Sequence, residues 1–339
     1  MQTNDQNAGR LFVVGGAGFI GSHIVDALLA DPSVAGVTVY DNFSSGRSWH
    51  LEQHAGSQRL AVVRGNAGDA NAIRQALQGH DVVIHLASNP DIARAVREPS
   101  IDFDQGTVLT KSVLEAMRLA GVSRILYASG SGVYGDVGAT EVDENFGPLI
   151  PISTYGASKL AGEALISSYC AMFGLTACVF RFANVVGSRQ THGVGFDFVR
   201  RLLKDPTRLV ILGDGQQSKS YIHVSDVVQA ILVAHRRSRR EFDAFNVATG
   251  DYITVREIAD LAIETLKLPR LSVAIEYTGG DRGWRGDVPV VRLRSDRIRS
   301  LGWNCRRGCH EALKESLLSL ITDSHRLYGA RDCQPAIDE

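Results

Sequence analysis

The sequence predicts an α/β fold in which a doubly wound parallel sheet is joined to a smaller, discontinuous α/β domain. Buried-strand patterns alternate with helical patterns through the first half of the 339-residue chain. The strand patterns lie at residues 11–14, 36–40, 60–64, 82–86, 125–128 and 177–181. This alternation is typical of parallel strands connected by helices that cover both faces of a sheet. Because ligands of such sheets bind beyond the carboxyl ends of the strands, we expect functional residues in the turns that follow them.

The helical patterns between these strands have apolar residues on one face. They lie at residues 22–30, 71–77, 107–120 and 158–173. A later helix is predicted over residues 254–266, where Thr254 and Glu257 have the spacing of a capping box.

After residue 181 the regular alternation stops. The segments that follow are a loop-rich stretch at 184–194, a helix at 196–203, and strands at 209–212 and 245–247. The last of these is apolar enough to return to the sheet, so we expect two discontinuous domains. The sheet domain comprises residues 10–183 plus 221–249, and the second domain comprises 184–220 plus 250–329.

The composition excludes several classes of protein. Hydrophobic residues make up 44% and charged residues 22% of the chain, as in globular proteins. The 36 basic and 37 acidic residues leave no net field that would attract nucleic acid or anionic lipid. Residues 1–10 are polar, and no apolar run approaches ~18 residues, so we expect a cytoplasmic protein with no membrane partner. The five scattered cysteines predict neither a disulfide framework nor a metal site.

The turn after the first strand contains three glycines, Gly15, Gly18 and Gly21, and leads into the first helix. Small residues at this place let the N-terminus of a helix approach the pyrophosphate of a dinucleotide. Asp41 ends the second strand twenty residues after Gly21, where a carboxylate accepts hydrogen bonds from ribose hydroxyls and repels a 2′-phosphate. The pattern therefore predicts a Rossmann-type domain that binds NAD rather than NADP. The alternative is a glycine turn with a structural role only.

Tyr155 and Lys159 are four residues apart on a predicted helix, so both side chains lie on one face. An unperturbed phenol, with a pKa of about 10, is a poor base at neutral pH, and a nearby cation favours its ionised form. We expect Lys159 to supply that cation and Tyr155 to exchange a proton with a carbinol during hydride transfer.

Seven segments occur in the order and spacing of a known family. They are Gly15-Gly-Ala-Gly-Phe-Ile-Gly21, Asp41-Asn42, His85-Leu-Ala87, Val133-Tyr-Gly135, Tyr155-x-x-x-Lys159, Arg181-Phe-Ala-Asn184 and Gly213-Asp-Gly215. Over about residues 10 to 325 the chain resembles the extended short-chain dehydrogenases/reductases. It is most similar to their NAD-dependent nucleotide-sugar epimerase/dehydratase branch, and there to enzymes like UDP-glucose 4-epimerase.

The resemblance implies a set of cofactor-binding residues. The glycine loop would hold the NAD pyrophosphate, Asp41 and Asn42 the adenosine ribose, and Asn66 the region of the adenine. The implied set is Gly15, Gly18, Phe19, Ile20, Gly21, Asp41, Asn42, Asn66, Ala67, Leu86, Ala87, Ser88, Tyr155 and Lys159.

The resemblance also implies the reaction, which is epimerisation at C4 of a UDP-hexose or UDP-hexuronate through a transient 4-keto sugar. Tyr155 would remove the O4 proton while C4 passes hydride to NAD, and the hydride would return to the other face of the sugar. The implied substrate-binding residues are Ser131, Tyr155, Asn184, Lys219, Tyr221, Arg282 and Arg285. A homodimer through the helices at 107–120 and 158–173 is implied as well.

Gly130 departs from the family pattern. Relatives have Ser or Thr three residues before the valine of Val-Tyr-Gly, and this chain has Gly130 there. Ser131 is our candidate replacement as a third catalytic residue, and the alternative is that 129–132 only shape a turn. Relatives that dehydrate sugars have acidic residues at the two positions before this valine. This chain has Ser131 and Gly132 there, so dehydration ranks below epimerisation.

Further interpretations remain open. Oxidation at C4 followed by dehydration or release of a keto sugar is the first alternative, and a non-catalytic NAD-sensing regulator is the second. Arg282 and Arg285 are either phosphate ligands or surface charges on a glycine loop. Arg94 is either a partner for a hexuronate carboxylate or part of a charged surface helix.

Overall fold

The computed structural model describes residues 9–328. The strands within this range are β1 Arg10–Val14, β2 Gly36–Asp41, β3 Leu60–Arg64, β4 Val82–His85, β5 Arg124–Gly130, β6 Glu141–Val142, β7 Thr176–Phe182, β8 Asn184–Val186, β9 Arg208–Ile211, β10 Ser218–Lys219, β11 Tyr221–His223, β12 Phe242–Val247, β13 Ile253–Thr254, β14 Ala274–Tyr277 and β15 Arg292–Leu293. The α-helices are α1 Phe19–Ala30, α2 Ala70–Ala76, α3 Leu109–Ala120, α4 Thr154–Phe173, α5 Val194–Lys204, α6 Val224–Arg237, α7 Val255–Thr265, α8 Asp296–Ser300, α9 Cys309–Thr322 and α10 Ser324–Tyr328.

Seven parallel strands form the central sheet in the order β12-β7-β5-β4-β1-β2-β3. This arrangement confirms the predicted Rossmann-type, doubly wound α/β fold. Chain progression reverses at β1, which pairs with β2 on one side and β4 on the other. The turns after these three strands therefore border one crevice at the carboxyl edge, which is where this topology binds its ligands.

Side chains alternate between the two faces of the sheet along each strand. In β1, Leu11 and Val13 belong to the hydrophobic core that includes α1 and α6. Phe12 and Val14 point the other way, into the core that includes α2, α3 and α4. The first strand is therefore apolar throughout because helices cover both of its faces.

A separate core lies within residues 186–327. It is formed by apolar side chains of α5, α7 and α9 and of strands β9 and β11. The capping box of α7 is present, since Thr254 accepts from the Glu257 backbone and Glu257 reaches back to Thr254. Leu293, Ile298 and Trp303 pack instead into the core of the sheet.

Helices α3 and α4 begin at other residues than the sequence pattern predicts. Helix α4 starts at Thr154, four residues before the predicted start, because the Ser153 side chain accepts a hydrogen bond from the Gly156 backbone and caps it. Helix α3 is preceded by a π-helical turn at Phe103–Val108. Within residues 9–328, no helix is both long and apolar enough to cross a lipid bilayer.

Candidate active site

The glycine loop packs so closely that side chains would not fit at two of its positions. A Cβ on Gly15 would lie 2.9 Å from the Ala87 backbone nitrogen, and its φ of +84° also favours glycine. A Cβ on Gly21 would lie 2.3 Å from the Gly15 carbonyl oxygen. Gly18 is the N-cap of α1, and within the described residues no side chain caps this helix. Its first backbone N–H groups are therefore left to bind an anion.

Phe19 and Ile20 contribute to this loop through their backbone. The Phe19 side chain is buried, and Ile20 packs against the sheet core. The helix can therefore present its amide groups at the crevice while its side chains anchor it to the protein.

Asp41 holds the glycine loop in addition to ending β2. Its carboxylate is buried and accepts hydrogen bonds from the backbone N–H groups of Ala17 at 2.9 Å and Phe43 at 2.8 Å. A carboxylate has about four acceptor positions, so Asp41 retains capacity for ribose hydroxyls. Asn42 beside it is exposed, and its side-chain oxygen accepts from the Ser44 backbone at 2.9 Å.

The remaining predicted cofactor residues lie after neighbouring strands. Asn66 and Ala67 follow β3, and the Tyr40 hydroxyl of β2 donates to the Asn66 carbonyl at 3.4 Å. Leu86 and Ala87 follow β4, and their N–H groups both donate to the Val14 carbonyl of β1. The fold thus brings the turns after β1 to β4 to the same edge.

Tyr155 and Lys159 share one face of α4, as the spacing predicts. The Lys159 ammonium is 3% exposed, donates to the Ala128 carbonyl at 2.8 Å and lies 5.6 Å from the centre of the Tyr155 ring. Tyr155 stands in the first turn of the helix. Because Ala128 belongs to β5, Lys159 ties the helix to the sheet edge next to the turn after β4.

The electrostatics differ from our expectation that Lys159 makes the phenol acidic. Burial raises the pKa of Tyr155 to about 12; a hydrogen bond with the Ser88 hydroxyl opposes this rise, and the Asp102 carboxylate adds to it. Burial likewise lowers the pKa of Lys159 to about 8, against the attraction of Asp102 and Glu163. The protein's own groups therefore keep the phenol protonated at neutral pH.

A buried carboxylate joins the residues next to Ser88 and Tyr155. Asp102 is 1% exposed and accepts hydrogen bonds from the Asn89 side-chain amide at 2.9 Å and from the Thr154 hydroxyl at 2.7 Å. Asn89 follows Ser88, and Thr154 precedes Tyr155. Asp102 therefore clamps the turn after β4 to the first turn of α4.

A second network of buried hydrogen bonds supports helix α4. The Arg181 guanidinium donates to both oxygens of Glu163, at 2.7 to 3.2 Å, and their side chains are only 7% and 5% exposed. Ser129 donates to Glu163 at 2.6 Å, and Arg181 also donates to the Tyr134 hydroxyl at 2.9 Å. The network fixes β5, β7 and α4 relative to one another. Because the Ser129 hydroxyl donates to Glu163, it is not free to donate to a ligand.

Gly130 leaves open space at the end of β5. A Cβ at this position would meet no atom within 4 Å, and its φ of −160° is extended backbone that any residue adopts. Ser131 next to it begins a short 3-10 turn and is half-buried. Within residues 9–328 its hydroxyl makes no side-chain or backbone hydrogen bond, which leaves it available to a ligand.

Two of the predicted phosphate ligands, Lys219 and Arg282, both contact Asp287 and are therefore already paired. The Lys219 ammonium lies 2.5 Å from an Asp287 carboxylate oxygen. Arg282 donates to the Asp136 carboxylate at 2.6 Å and to the Asp287 carbonyl at 2.5 Å. The Arg282 contact holds the pKa of Asp136 below its usual value. A phosphate that binds here must therefore share or replace these carboxylates.

Asn184, Tyr221 and Arg285 differ in their exposure. Asn184 is exposed at the start of β8 and lies opposite Tyr221 of β11. Tyr221 is 6% exposed and packs in the second core, so it supports the strand next to Lys219. Arg285 is exposed on the glycine-containing loop.

Sequence reasoning missed the acidic partners of the site, Asp102, Asp136, Glu163 and Asp287. One signal was present for Glu163, which follows Lys159 by four residues and so lies on the same helical face. The others depend on contacts between segments distant in sequence. In the described part of the chain, no group of three or more His, Cys, Asp or Glu residues is placed to hold a metal ion.

A sequence profile of the NAD dependent epimerase/dehydratase family matches residues 11–248. A putative UDP-glucose 4-epimerase from Methanocaldococcus jannaschii is 31% identical over 310 residues, which cover 90% of this chain and 96% of that protein.

Two solved structures show how far the fold likeness extends. A crystal structure of UDP-galactose 4-epimerase has a TM-score of 0.82 and 35% identity, covering 93% of this chain and 99% of its own. A dTDP-glucose 4,6-dehydratase from Streptomyces venezuelae, solved with NAD bound, has a TM-score of 0.86 and 27% identity, covering 94% of this chain and 99% of its own. Epimerases and dehydratases are thus both similar to this chain.

Proposed function

This chain belongs to the NAD dependent epimerase/dehydratase family, and from that premise we propose that it epimerises C4 of a UDP-hexose through a transient 4-keto sugar. The observation that carries the proposal is the meeting of two features at one sheet edge. The glycine loop after β1 suits a dinucleotide. Tyr155 lies on helix α4, which Lys159 ties to β5, and its hydroxyl can exchange a proton.

NAD is the cofactor of the family, and the glycine loop fits it because side chains at Gly15 and Gly21 would collide with backbone. We assign its pyrophosphate to the loop and the first turn of α1, and its adenosine ribose to Asp41 and Asn42. When bound, NAD accepts a hydride from the sugar and returns it.

The chain's own residues handle the proton. We propose that Tyr155 takes the proton of the sugar O4 and later gives it back, while Lys159 holds positive charge beside it. Lys159 is anchored to the Ala128 carbonyl, so its ammonium stays in place during the exchange. The free Ser131 hydroxyl is assigned to the O4 of the sugar, next to the space at Gly130.

We assign the nucleotide diphosphate to Asn184, Lys219, Arg282 and Arg285. A lysine binds phosphate as a point charge, whereas an arginine binds it through two parallel hydrogen bonds. A neutral hexose is favoured over a hexuronate because Arg94 pairs with Glu98 at 2.7 Å and is not a free partner for a carboxylate.

The test is incubation of the purified protein with NAD and single UDP-sugars, followed by NMR of the products. We expect interconversion of UDP-glucose and UDP-galactose, loss of this activity in Tyr155→Phe, and no net NADH. Unchanged UDP-sugars in the presence of protein with bound NAD would refute the proposal.

A second candidate is 4,6-dehydration, which the likeness to dTDP-glucose 4,6-dehydratases favours. Elimination of the C6 hydroxyl needs an acid, and the turn after β5 offers Ser131 and Gly132 in place of carboxylic acids. Release of a 4-keto-6-deoxy product from a dTDP- or UDP-sugar would establish this candidate instead.

We also propose a homodimer formed through α3 and α4. The side chains of Leu119 in α3 and of Met172 and Phe173 in α4 are exposed by 45 to 70%. Light scattering after size-exclusion chromatography would contradict the dimer by giving the monomer mass. A cytoplasmic location and the two discontinuous domains remain proposals, which cell fractionation and limited proteolysis test.

A further inference from the structure

The π-helical turn at Phe103–Val108 packs directly against helix α4. Gly106 of this turn lies so close to α4 that a Cβ there would overlap the Ser158 hydroxyl and lie 3.2 Å from the Ser158 Cβ. Ser158 immediately precedes Lys159 in the sequence. Short π-helical segments are frequently found at functional sites. This one contacts the helix that carries the proposed proton-transfer pair.

Asp102, the residue before this turn, accepts a hydrogen bond on each of its carboxylate oxygens from a different segment of the chain. The Asn89 side-chain amide donates to Oδ1 at 2.9 Å, and the Thr154 hydroxyl donates to Oδ2 at 2.7 Å. Asp102 is 1% and Asn89 is 3% exposed. Because the carboxylate is buried, loss of either donor would leave a charged oxygen without a protein partner, which is costly.

The two segments that Asp102 joins carry the groups of the proposed reaction. Asn89 follows residues 86–88, which we assign to the cofactor, and it also donates to the Asp91 carbonyl at 2.8 Å, which fixes the turn after β4. Thr154 precedes Tyr155 in the first turn of α4. The separation between the cofactor turn and the phenol therefore depends on Asp102. Displacement of a reacting group by about 1 Å costs about 100-fold in rate.

We propose that Asp102 is a positioning residue, which sets the place of the Tyr155 hydroxyl relative to the cofactor by binding Asn89 and Thr154 together. It acts on the reaction through Tyr155, and through its hydrogen bonds rather than through its charge. The inference rests on the proposed function for the reaction that is positioned, whereas the two hydrogen bonds do not depend on any substrate.

Two substitutions of Asp102 separate its hydrogen bonds from its charge. An asparagine at this position can accept from Asn89 through its oxygen and donate to the Thr154 hydroxyl through its nitrogen, because a hydroxyl both donates and accepts. Asp102→Asn therefore removes the negative charge and keeps both links between the segments. Asp102→Ala removes the charge and both links.

Steady-state kinetics and cofactor binding give the first measurement. We expect Asp102→Ala to lower kcat about 10- to 100-fold, while KM for the nucleotide sugar and the Kd of NAD change less than about threefold. Asp102→Asn should keep kcat within about threefold of the unaltered protein. Asp104→Ala is the matched control, because Asp104 lies in the same turn and is exposed, and its kcat should not change.

Thr154→Val tests one of the two links and decides the matter if Asp102→Ala does not fold. It keeps the shape of the side chain and removes only the hydroxyl, so we expect kcat to fall about 3- to 10-fold. Added to Asp102→Ala, it should cause little further loss, because both substitutions break the same contact.

Crystal structures of the variants measure the position of Tyr155 without any turnover. We expect its hydroxyl to move by about 0.5–1 Å relative to the turn after β4 in Asp102→Ala, a displacement that productive geometry does not tolerate. In Asp102→Asn the hydroxyl should superimpose on that of the unaltered protein.

Three results would overturn the inference. The first is an equal loss of kcat in Asp102→Asn and Asp102→Ala, which would assign the effect to the charge. The second is an unchanged kcat in a folded Asp102→Ala protein. The third is a loss of kcat that weaker NAD binding explains, which would make Asp102 part of the cofactor site. If the unaltered protein converts no nucleotide sugar, the proposed function fails, and the place of the Tyr155 hydroxyl in the variant crystals still decides the role of Asp102.

Discussion

Replacement of Gly21 by alanine tests the cofactor site most directly. The new Cβ would lie 2.3 Å from the Gly15 carbonyl oxygen and 2.7 Å from the Gly16 Cα, whereas ordinary contacts begin near 3.4 Å. Both neighbours are backbone, so α1 and the loop must separate by about 1 Å. Overpacking of this kind costs about 1–3 kcal/mol of free energy. A tenfold change in affinity corresponds to about 1.4 kcal/mol.

We therefore expect Gly21→Ala to weaken NAD binding about 10- to 100-fold in isothermal titration calorimetry. Gly130→Ala is the matched control, because its Cβ meets nothing within 4 Å and its backbone is extended. That variant should keep both its Tm and its NAD affinity. A folded Gly21→Ala protein with unaltered NAD affinity would refute the assignment of the loop to the pyrophosphate.

Three further predictions concern stability. Glu163→Ala leaves the buried Arg181 guanidinium unpaired, so we expect a loss of about 3–5 kcal/mol and a fall in Tm of about 4–7 °C, whereas Glu98→Ala on the surface should change stability by less than about 1 kcal/mol. Lys159→Met should stabilise the protein by about 1–3 kcal/mol at pH 7 while abolishing activity. The pKa of Lys159 falls from 10.5 to about 8 on folding, so the cost of burying the charged ammonium is fully present below pH 8. The stability gained by the substitution should therefore vanish above pH 10.5. Burial lowers the pKa of His50 from 6.5 to about 4, so the unfolded chain binds the proton first and stability should fall by about 3 kcal/mol between pH 6.5 and 4. Denaturant unfolding at several pH values checks all three, and an unchanged acid slope in His50→Gln would contradict the last.

The fold was predictable because its signals are local. Apolar strands of the β1 type, buried on both faces, and glycine turns before a helix are visible without knowledge of any contact. Helix α4 began earlier than predicted because Ser153, a polar residue outside the apolar pattern, caps it. The four-residue spacing of Tyr155 and Lys159 predicted that their side chains share a helical face, and the structure places them together.

The roles of Asp102 and Asp136 were not predictable, since they arise from pairing across long sequence separations. Asp102 meets Thr154, and Arg282 meets Asp136, over more than fifty and more than a hundred residues respectively. Their side chains look like ordinary surface charges in sequence. Only the folded chain shows that Asp102 is a buried acceptor and that Arg282 links two parts of the protein.

The two ionisation shifts of the Tyr155 and Lys159 pair have one consequence for the reaction. Burial raises the pKa of Tyr155 to about 12 and lowers that of Lys159 to about 8, so both groups resist the charged state that proton transfer requires. Positive charge on a bound oxidised nicotinamide would act on the phenol at short range and in a medium of low dielectric constant. The base would then be strongest when the oxidised cofactor is in place, because that state adds a positive charge that stabilises the phenolate. In the proposed reaction, proton removal from the sugar would thereby be coupled to the presence of the hydride acceptor, and a substrate bound without the cofactor would keep its proton.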